Sequence, residues 1–246
     1  MKQTRLLMGM PITVEIIDDF GALDIFDEIY SYFEYIDNKF STYKNTSEIS
    51  LINKGKVKQN EYTRDMHLVF ELSEQTKKQT GGYFDICNNG RYDPSGLVKG
   101  WTIFNAANLL KNKGFLNFYI DAGGDIQVSG KNKEEKNWRV GIKNPFNNEE
   151  IIKILSIDDK GVATSGTYIR GQHVYIPKKK GLPITDIVSI TVIGPNIYEA
   201  DRFATAAFAM EKNGISFIEN LAGFEGYMVD KDGIATMTSG FEKYVI

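Results

Sequence analysis

The feature that constrains the fold most is a segment near the C-terminus that is apolar on almost all sides. Residues 197–210, IYEADRFATAAFAM, are predicted to form a helix whose circumference is mostly alanine, phenylalanine and methionine. A helix of this kind has to be covered on most of its faces, so it belongs in the core of a sizeable domain. The 246 residues of the chain can supply such a core, and we expect a single domain over residues 1–246.

Two polar residues interrupt this helix, and their spacing places them on one face. Asp201 and Thr205 are four residues apart, so one lies a turn above the other. A buried carboxylate is costly unless a cation, an arginine or several N–H groups accompany it. Alternatively, Asp201 lies at the surface near the helix start, where the helix dipole favours it, and Thr205 bonds to a carbonyl of its own helix. The pattern alone leaves both interpretations open.

The order of hydrophobic patterns along the chain favours an α+β fold. Apolar residues at three-to-four spacing predict helices over 23–40, about 63–80 and about 97–110. From residue 117 onward, short β-branched or aromatic segments separated by turn residues predict strands, and the helix at 197–210 follows the last long one. Because helices and strands are partly segregated, we expect a mixed, largely antiparallel sheet packed with helices.

Composition excludes several classes of function. The net charge of −3 comes from 29 basic and 32 acidic residues that are well mixed, which gives no footprint for nucleic acid or anionic lipid. The single cysteine, Cys87, excludes an internal disulfide, and two histidines disfavour a zinc site, so oxygen ligands are the metal chemistry to expect. No small-residue cleavage site follows LLMGMPI, and no apolar run approaches the roughly 20 residues of a membrane span. We therefore expect a mature, cytoplasmic protein.

Four further stretches contain residue types that binding sites use. DPSGLVKGW, residues 93–101, opens a helix whose N-terminus and Lys99 would suit a phosphate, although the spacing is not that of a P-loop. GGYFDI at 81–86 and DAGGDI at 121–126 place glycine pairs beside an aspartate, and His173 lies in a predicted strand. Each also has an ordinary interpretation: a capped helix start, a helix stop, a bulged turn and a structural histidine.

Taken together and in this order, these segments resemble the FAD:protein FMN transferase family, the ApbE-type flavin transferases. The resemblance covers nearly the whole chain and rests on MGMP, FSTY, SEIS, TGGYFDI, DPSGLVKGW, DAGGDI, GVATSG, HVYIP, VSITVIGP and EADRFATA. It implies an ApbE-like fold, FAD as the substrate and Mg²⁺ as the cofactor. It further implies transfer of FMN onto a Ser or Thr of an acceptor flavoprotein, with release of AMP.

The resemblance also assigns roles to particular residues. Its metal ligands fall on Asp201, Thr205 and the main-chain carbonyl of Gly96, so the polar pair on the helix would face a diphosphate. Mg²⁺ commonly binds through one or two carboxylates plus substrate phosphates, which suits this set. Contacts to FAD are implied for Met8, Tyr43, Tyr83, Phe84, Asp85, Asp93, Lys99 and Tyr175. His173 matches the family histidine that is implied as the base toward the acceptor hydroxyl.

The chain departs from the family pattern just after this histidine. Where the family has Asp-Pro, this sequence has Ile176 and Pro177, followed by Lys178, Lys179 and Lys180. The lysines would either meet an acidic acceptor or form a solvated loop. Two alternatives to transfer therefore stay open: hydrolysis of FAD to FMN and AMP at the same site, and a protein that binds or senses FAD without turnover.

Overall fold

The helices form where apolar residues recur every three or four positions. The computed structural model describes residues 1–18, 23–167, 175–177 and 182–246. Within those residues there are six α-helices: α1 (Leu23–Phe40), α2 (Glu48–Asn53), α3 (Arg64–Gln79), α4 (Ser95–Asn112), α5 (Ile197–Ala209) and α6 (Gly214–Glu219). The helices predicted over 23–40, about 63–80, about 97–110 and 197–210 correspond to α1, α3, α4 and α5, with differences of one or two residues at their ends.

The glycine pair after α3 ends that helix. Gly81 and Gly82 have φ of 58° and 85°, a conformation that side chains with a Cβ rarely adopt. Their N–H groups donate to the carbonyls of Lys78 and Lys77 at 3.1 and 2.8 Å, which satisfies the last turn of the helix. The helix-stop interpretation of GGYFDI is therefore confirmed.

Fourteen strands are present in the described residues, and eight of them form one sheet. The strands are β1 (Lys2–Leu7), β2 (Met10–Ile16), β3 (Cys87–Asn88), β4 (Arg91–Tyr92), β5 (Phe118–Ala122), β6 (Asp125–Ser129), β7 (Trp138–Asn144), β8 (Asn147–Ile157), β9 (Gly161–Gly166), β10 (Tyr175–Ile176), β11 (Leu182–Pro183), β12 (Ile187–Gly194), β13 (Glu225–Asp230) and β14 (Ala235–Met237). The large sheet has the order β1-β2-β5-β6-β9-β12-β13-β14. The α+β class and the largely antiparallel sheet are confirmed. All the strand pairs found in the described residues are antiparallel, so the sheet is not mixed there.

The first strand, β1, was not predicted from the sequence, because it lies at the edge of the sheet. β1 pairs only with β2, and its side chains are mostly exposed on both faces; Leu6 is 77% exposed. An edge strand of this kind lacks the alternation of buried and exposed positions from which strands are predicted.

The sheet separates two of the three apolar clusters found in the described residues. On one face, α1, α4, α5 and α6 pack over the central strands, and α5 is buried along most of its length, as its sequence predicted. On the other face, the β7–β8 ribbon and the C-terminal segment cover a second core that includes Trp138 and Phe241. No helix in the described part of the chain has the length and apolarity needed to cross a membrane.

Two glycines allow α4 to lie directly on α5. A Cβ at Gly100 would stand 2.6 Å from the Cβ of Asp201 and 2.8 Å from the carbonyl oxygen of Ile197. A Cβ at Gly96 would stand 2.9 Å from Cγ2 of Thr205. The two glycines are four residues apart on α4, and they face the polar pair that is four residues apart on α5. Close packing of these helices therefore brings main-chain atoms of α4 to the polar side chains of α5.

Candidate active site

An open cleft lies at the N-terminus of α4, between α5 and the central strands. Its open space, including solvent at its mouth, is about 860 Å³. Segments distant in sequence contribute its lining: Tyr83, Phe84, Asp85 and Ile86 after α3, Asp93, Ser95, Gly96 and Lys99 at α4, Gly123, Thr164, Ser165 and Gly166 in the sheet, Tyr175 and Pro177, and Asp201 and Thr205 on α5.

The structure brings most of the predicted site residues together in this main cleft. The predicted metal ligands line it, as do Tyr83, Phe84, Asp85, Asp93, Lys99 and Tyr175 among the predicted FAD contacts. Met8 and Tyr43 line a second cleft instead, which shares Asp93, Ser95 and Lys99 with the first. The two clefts therefore adjoin at the start of α4. His173 and Lys178, Lys179 and Lys180 lie outside the described residues, so their roles stay predictions.

The polar pair on α5 is buried against α4. Asp201 is only 3% exposed, and its Oδ2 accepts the N–H of Gly100 at 2.8 Å. The hydroxyl of Thr205 donates to the carbonyl oxygen of Gly96 at 3.2 Å, so it reaches across to α4 and does not bond back to its own helix. The alternative that placed Asp201 at the surface is therefore wrong.

The surroundings of Asp201 disfavour its negative charge. Burial raises the pKa of this carboxyl group above its usual range, while the nearby Lys99 lowers it and Asp125 raises it again. The N–H of Gly100 also favours the charged form. A buried carboxylate that its neighbours satisfy only in part is well suited to accept a bound cation.

Asp125 is a buried residue beside Lys99 that was not predicted from the sequence. It is 1% exposed, its Oδ2 lies 2.7 Å from Nζ of Lys99, and its Oδ1 accepts the N–H of Thr164 at 3.3 Å. Although the Lys99 distance is that of an ion pair, no described donor reaches Asp125 Oδ2 with hydrogen-bond geometry. Asp125 begins β6, a strand that is buried at every position, but this burial is visible only in the structure and not in the sequence DIQVS.

The two glycines that precede Asp125 form the turn between β5 and β6. Gly123 and Gly124 have φ of 63° and 94° and join β5 to β6 in a two-residue hairpin. The pairing runs without interruption up to Ala122 opposite Asp125, so the turn contains no bulge. The interpretation of DAGGDI as a turn is confirmed, and the bulge is wrong.

The loop after α3 is held by contacts on three sides. The Asp85 carboxylate is 2.7 Å from Nζ of Lys77 and also accepts the N–H of Cys87 at 2.9 Å. The hydroxyl of Tyr175 donates to the main-chain carbonyl of Asp85 at 2.7 Å. Burial raises the pKa of Tyr175, so its hydroxyl stays protonated and remains a donor. These contacts fix the loop as one wall of the main cleft.

The oxygen atoms at the junction of α4 and α5 fit a hard cation. Within the described residues, no group of three or more His, Cys, Asp or Glu side chains is placed to hold a metal ion. The predicted set is of another kind, since it combines the carboxylate of Asp201, the hydroxyl of Thr205 and the main-chain carbonyl of Gly96. Oxygen donors with few carboxylates suit Mg²⁺, which keeps several waters and shares its coordination with substrate phosphates.

Solved proteins of the ApbE type share the fold of this chain. The flavin transferase ApbE from Vibrio cholerae superposes with a TM-score of 0.85 at 21% identity, covering 99% of this chain and 98% of that one. The ApbE protein from Thermotoga maritima gives 0.87 at 19% identity, with coverage of 99% and 98%. At these identities the likeness establishes the fold, and the predicted ApbE-like fold is confirmed.

Sequence comparison identifies the family. The sequence model of the ApbE family matches residues 8–92 and 87–228, and the chain belongs to this family. The FAD:protein FMN transferase of Klebsiella pneumoniae is 32% identical over 151 residues, and that of Vibrio cholerae is 31% identical over 164 residues. These alignments cover 57% and 62% of this chain but 43% and 46% of the relatives, so the chain spans less than half the length of the curated relatives it matches.

Proposed function

We propose that this protein transfers FMN from FAD onto a Ser or Thr hydroxyl of an acceptor flavoprotein and releases AMP, with Mg²⁺ as cofactor. The observation that carries the proposal is the meeting of α4 and α5. There the hydroxyl of Thr205 donates to the main-chain carbonyl of Gly96 and the buried Asp201 accepts the N–H of Gly100, in the same cleft as Lys99. The name shared by the curated relatives, FAD:protein FMN transferase, supports the same activity.

The two adjoining clefts suit a dinucleotide. FAD has two ring systems joined by a diphosphate, and the clefts meet at Asp93, Ser95 and Lys99, beside the start of α4. A helix N-terminus favours phosphate groups because its N–H groups and dipole face them, and Lys99 adds a positive charge. The diphosphate would lie at this junction, with one ring system toward Tyr83 and Phe84 and the other toward Tyr43.

In the proposed reaction, the acceptor hydroxyl oxygen forms a bond to the phosphorus of the FMN half of FAD. The bond between that phosphorus and the bridging oxygen breaks, AMP leaves with the oxygen, and the hydroxyl proton passes to a base, for which His173 is the candidate. Mg²⁺ bound by Asp201, Thr205 and the Gly96 carbonyl would neutralise negative charge on the diphosphate. Lys99 would hold a phosphate oxygen from the other side.

Release of AMP should depend on an acceptor. We expect the purified protein with FAD and Mg²⁺ to release AMP when given a peptide that carries an Asp-Gly-x-x-x-Ala-Thr segment, the kind of acceptor segment that the family resemblance implies. A peptide with Val in place of the Thr is the matched control, because it lacks only the attacking hydroxyl. An equal rate of AMP release without any acceptor would establish FAD hydrolysis instead. FAD binding with no AMP release in either case would establish a binding or sensing protein.

His173→Ala is expected to slow transfer by about 10²- to 10⁴-fold, the usual contribution of a general base. The Kd for FAD should stay nearly the same, because a base acts in the transition state and adds little to ground-state binding. His67→Ala is the control, since His67 is the other histidine of the chain and is exposed on α3. A His173→Ala protein with unchanged kcat would remove this residue from the mechanism.

A further inference from the structure

We propose that Asp125 is a positioning residue that keeps the ammonium of Lys99 away from Asp201, so that Asp201 is left for the metal. This inference rests on the metal site of the proposed function and extends it to a residue on another element. Asp125 comes from the start of β6, whereas Lys99 is on α4 and Asp201 is on α5.

The ammonium of Lys99 lies between two buried carboxylates and is held closer to one of them. Its Nζ is 2.7 Å from Oδ2 of Asp125 and 3.8 Å from Oδ1 of Asp201. The two aspartates are 1% and 3% exposed, so water screens neither interaction well. The lysine side chain is itself 17% exposed and reaches the cleft.

Both carboxylates are fixed by main-chain groups on the side away from Lys99. Oδ1 of Asp125 accepts the N–H of Thr164, whose hydroxyl is 2.8 Å from that of Thr191 on the next strand. Oδ2 of Asp201 accepts the N–H of Gly100. The lysine stem is therefore the part of this cluster that can move, because it has several rotatable bonds.

Loss of the Asp125 charge would redirect the lysine. With one carboxylate neutralised, the remaining attraction on the ammonium comes from Asp201, and a small rotation of the stem would close the gap of 3.8 Å. A direct Lys99–Asp201 ion pair would compete with a divalent cation for the same carboxylate. Asp125 thereby allows an ammonium and a metal to share the cleft without pairing to one side chain.

The test measures binding of Mn²⁺ alone to the full chain by electron paramagnetic resonance, without FAD, so that activity plays no part. Asp125→Asn is expected to raise the Kd for Mn²⁺ about tenfold or more, the size of effect seen when an outer partner of a metal site is lost. Asp121→Asn is the matched control, since it removes a carboxylate from the same hairpin. We expect it to change the Kd by about twofold or less.

The decisive comparison places Asp125→Asn in a Lys99→Met background. If Asp125 acts through Lys99, it should then change the Kd no more than the Asp121→Asn control does, because no ammonium is left to redirect. Equal weakening with and without Lys99 would overturn the proposal and make Asp125 a ligand in its own right. Unchanged Mn²⁺ affinity of Asp125→Asn in the otherwise natural chain would also overturn it.

Failure of the metal site itself gives a different result. If Asp201→Asn leaves Mn²⁺ binding intact, or the natural chain binds no Mn²⁺, the metal site of the proposed function is overturned. The positioning role of Asp125 is then overturned as well. If Asp201→Asn loses Mn²⁺ while Asp125→Asn keeps it, only the positioning role is overturned. A thermal melt of each variant checks folding, and Asp125→Ser removes the same charge should the asparagine variant misfold.

Discussion

Asp201→Asn is expected to lower Mg²⁺-dependent AMP release by about a hundredfold or more without unfolding the protein. A neutral amide is a poor ligand for a hard cation, so the charge on the diphosphate would lose its counterion. The main-chain nitrogen of Gly100 lies 2.8 Å from Oδ2 of Asp201. The amide oxygen of the asparagine can still accept this N–H. Because a charge disfavoured by burial is removed, the thermal midpoint should stay the same or rise.

Two other variants on α5 separate metal binding from helix stability. Thr205→Ala should also lose activity, but a higher Mg²⁺ concentration should restore part of it, because a hydroxyl is a weaker ligand than a carboxylate. Glu199→Gln is the control, since its carboxylate pairs with Arg202 on the same helix and does not line the cleft. It should change the thermal midpoint and leave the Mg²⁺ dependence alone. Full activity per folded molecule of Asp201→Asn would exclude this residue as a metal ligand.

Gly100→Ala is expected to have the largest effect on stability, lowering the free energy of unfolding by about 1–3 kcal/mol. The new Cβ would stand 2.6 Å from the Cβ of Asp201 and 2.8 Å from the Ile197 carbonyl oxygen. Since the second contact is to the main chain, no side-chain rotation relieves it, and α4 has to move away from α5. The better helix propensity of alanine offsets only about 1 kcal/mol of this cost.

The same substitution should disturb the site, because the N–H of Gly100 donates to Asp201. We expect reduced Mg²⁺-dependent AMP release together with a lower urea midpoint. Gly141→Ala on β7 is the matched control, since the three atoms nearest to its new Cβ belong to the side chain of Ile151, the nearest being Cδ1 at 3.0 Å. A Gly100→Ala protein with the natural midpoint and activity would contradict the close packing of α4 on α5.

Elements with a strong hydrophobic period could be predicted from the sequence, and elements without one could not. α1 covers the predicted 23–40, and α5 begins at Ile197 as expected, because in both helices the apolar residues report burial directly. β1 was not predicted because its mostly exposed side chains show no hydrophobic period. Local pattern reveals which face of an element is buried, and no side chain of β1 is fully buried.

The site could be predicted only in part, because local sequence pattern does not show which distant segments are in contact. The resemblance named Asp201, Thr205 and Gly96, but the pattern around Asp201 fitted a surface position as well as a buried one. The choice depended on α4 packing onto α5, which is a contact between segments about 100 residues apart. Asp125 was missed for the same reason, because its proximity to Lys99 follows from the order of strands in the sheet and not from its own neighbours in sequence.

The most direct test of the proposed transfer is to count both products in one reaction. The purified chain is incubated with FAD, Mg²⁺ and the threonine peptide. AMP is then quantified by chromatography, and FMN attached to the peptide is quantified by mass spectrometry. We predict one FMN on the peptide for each AMP released, and a parallel loss of both products in Asp201→Asn. AMP formed in excess while the peptide stays unlabelled would contradict transfer, and equal labelling by Asp201→Asn would contradict the site assigned to it.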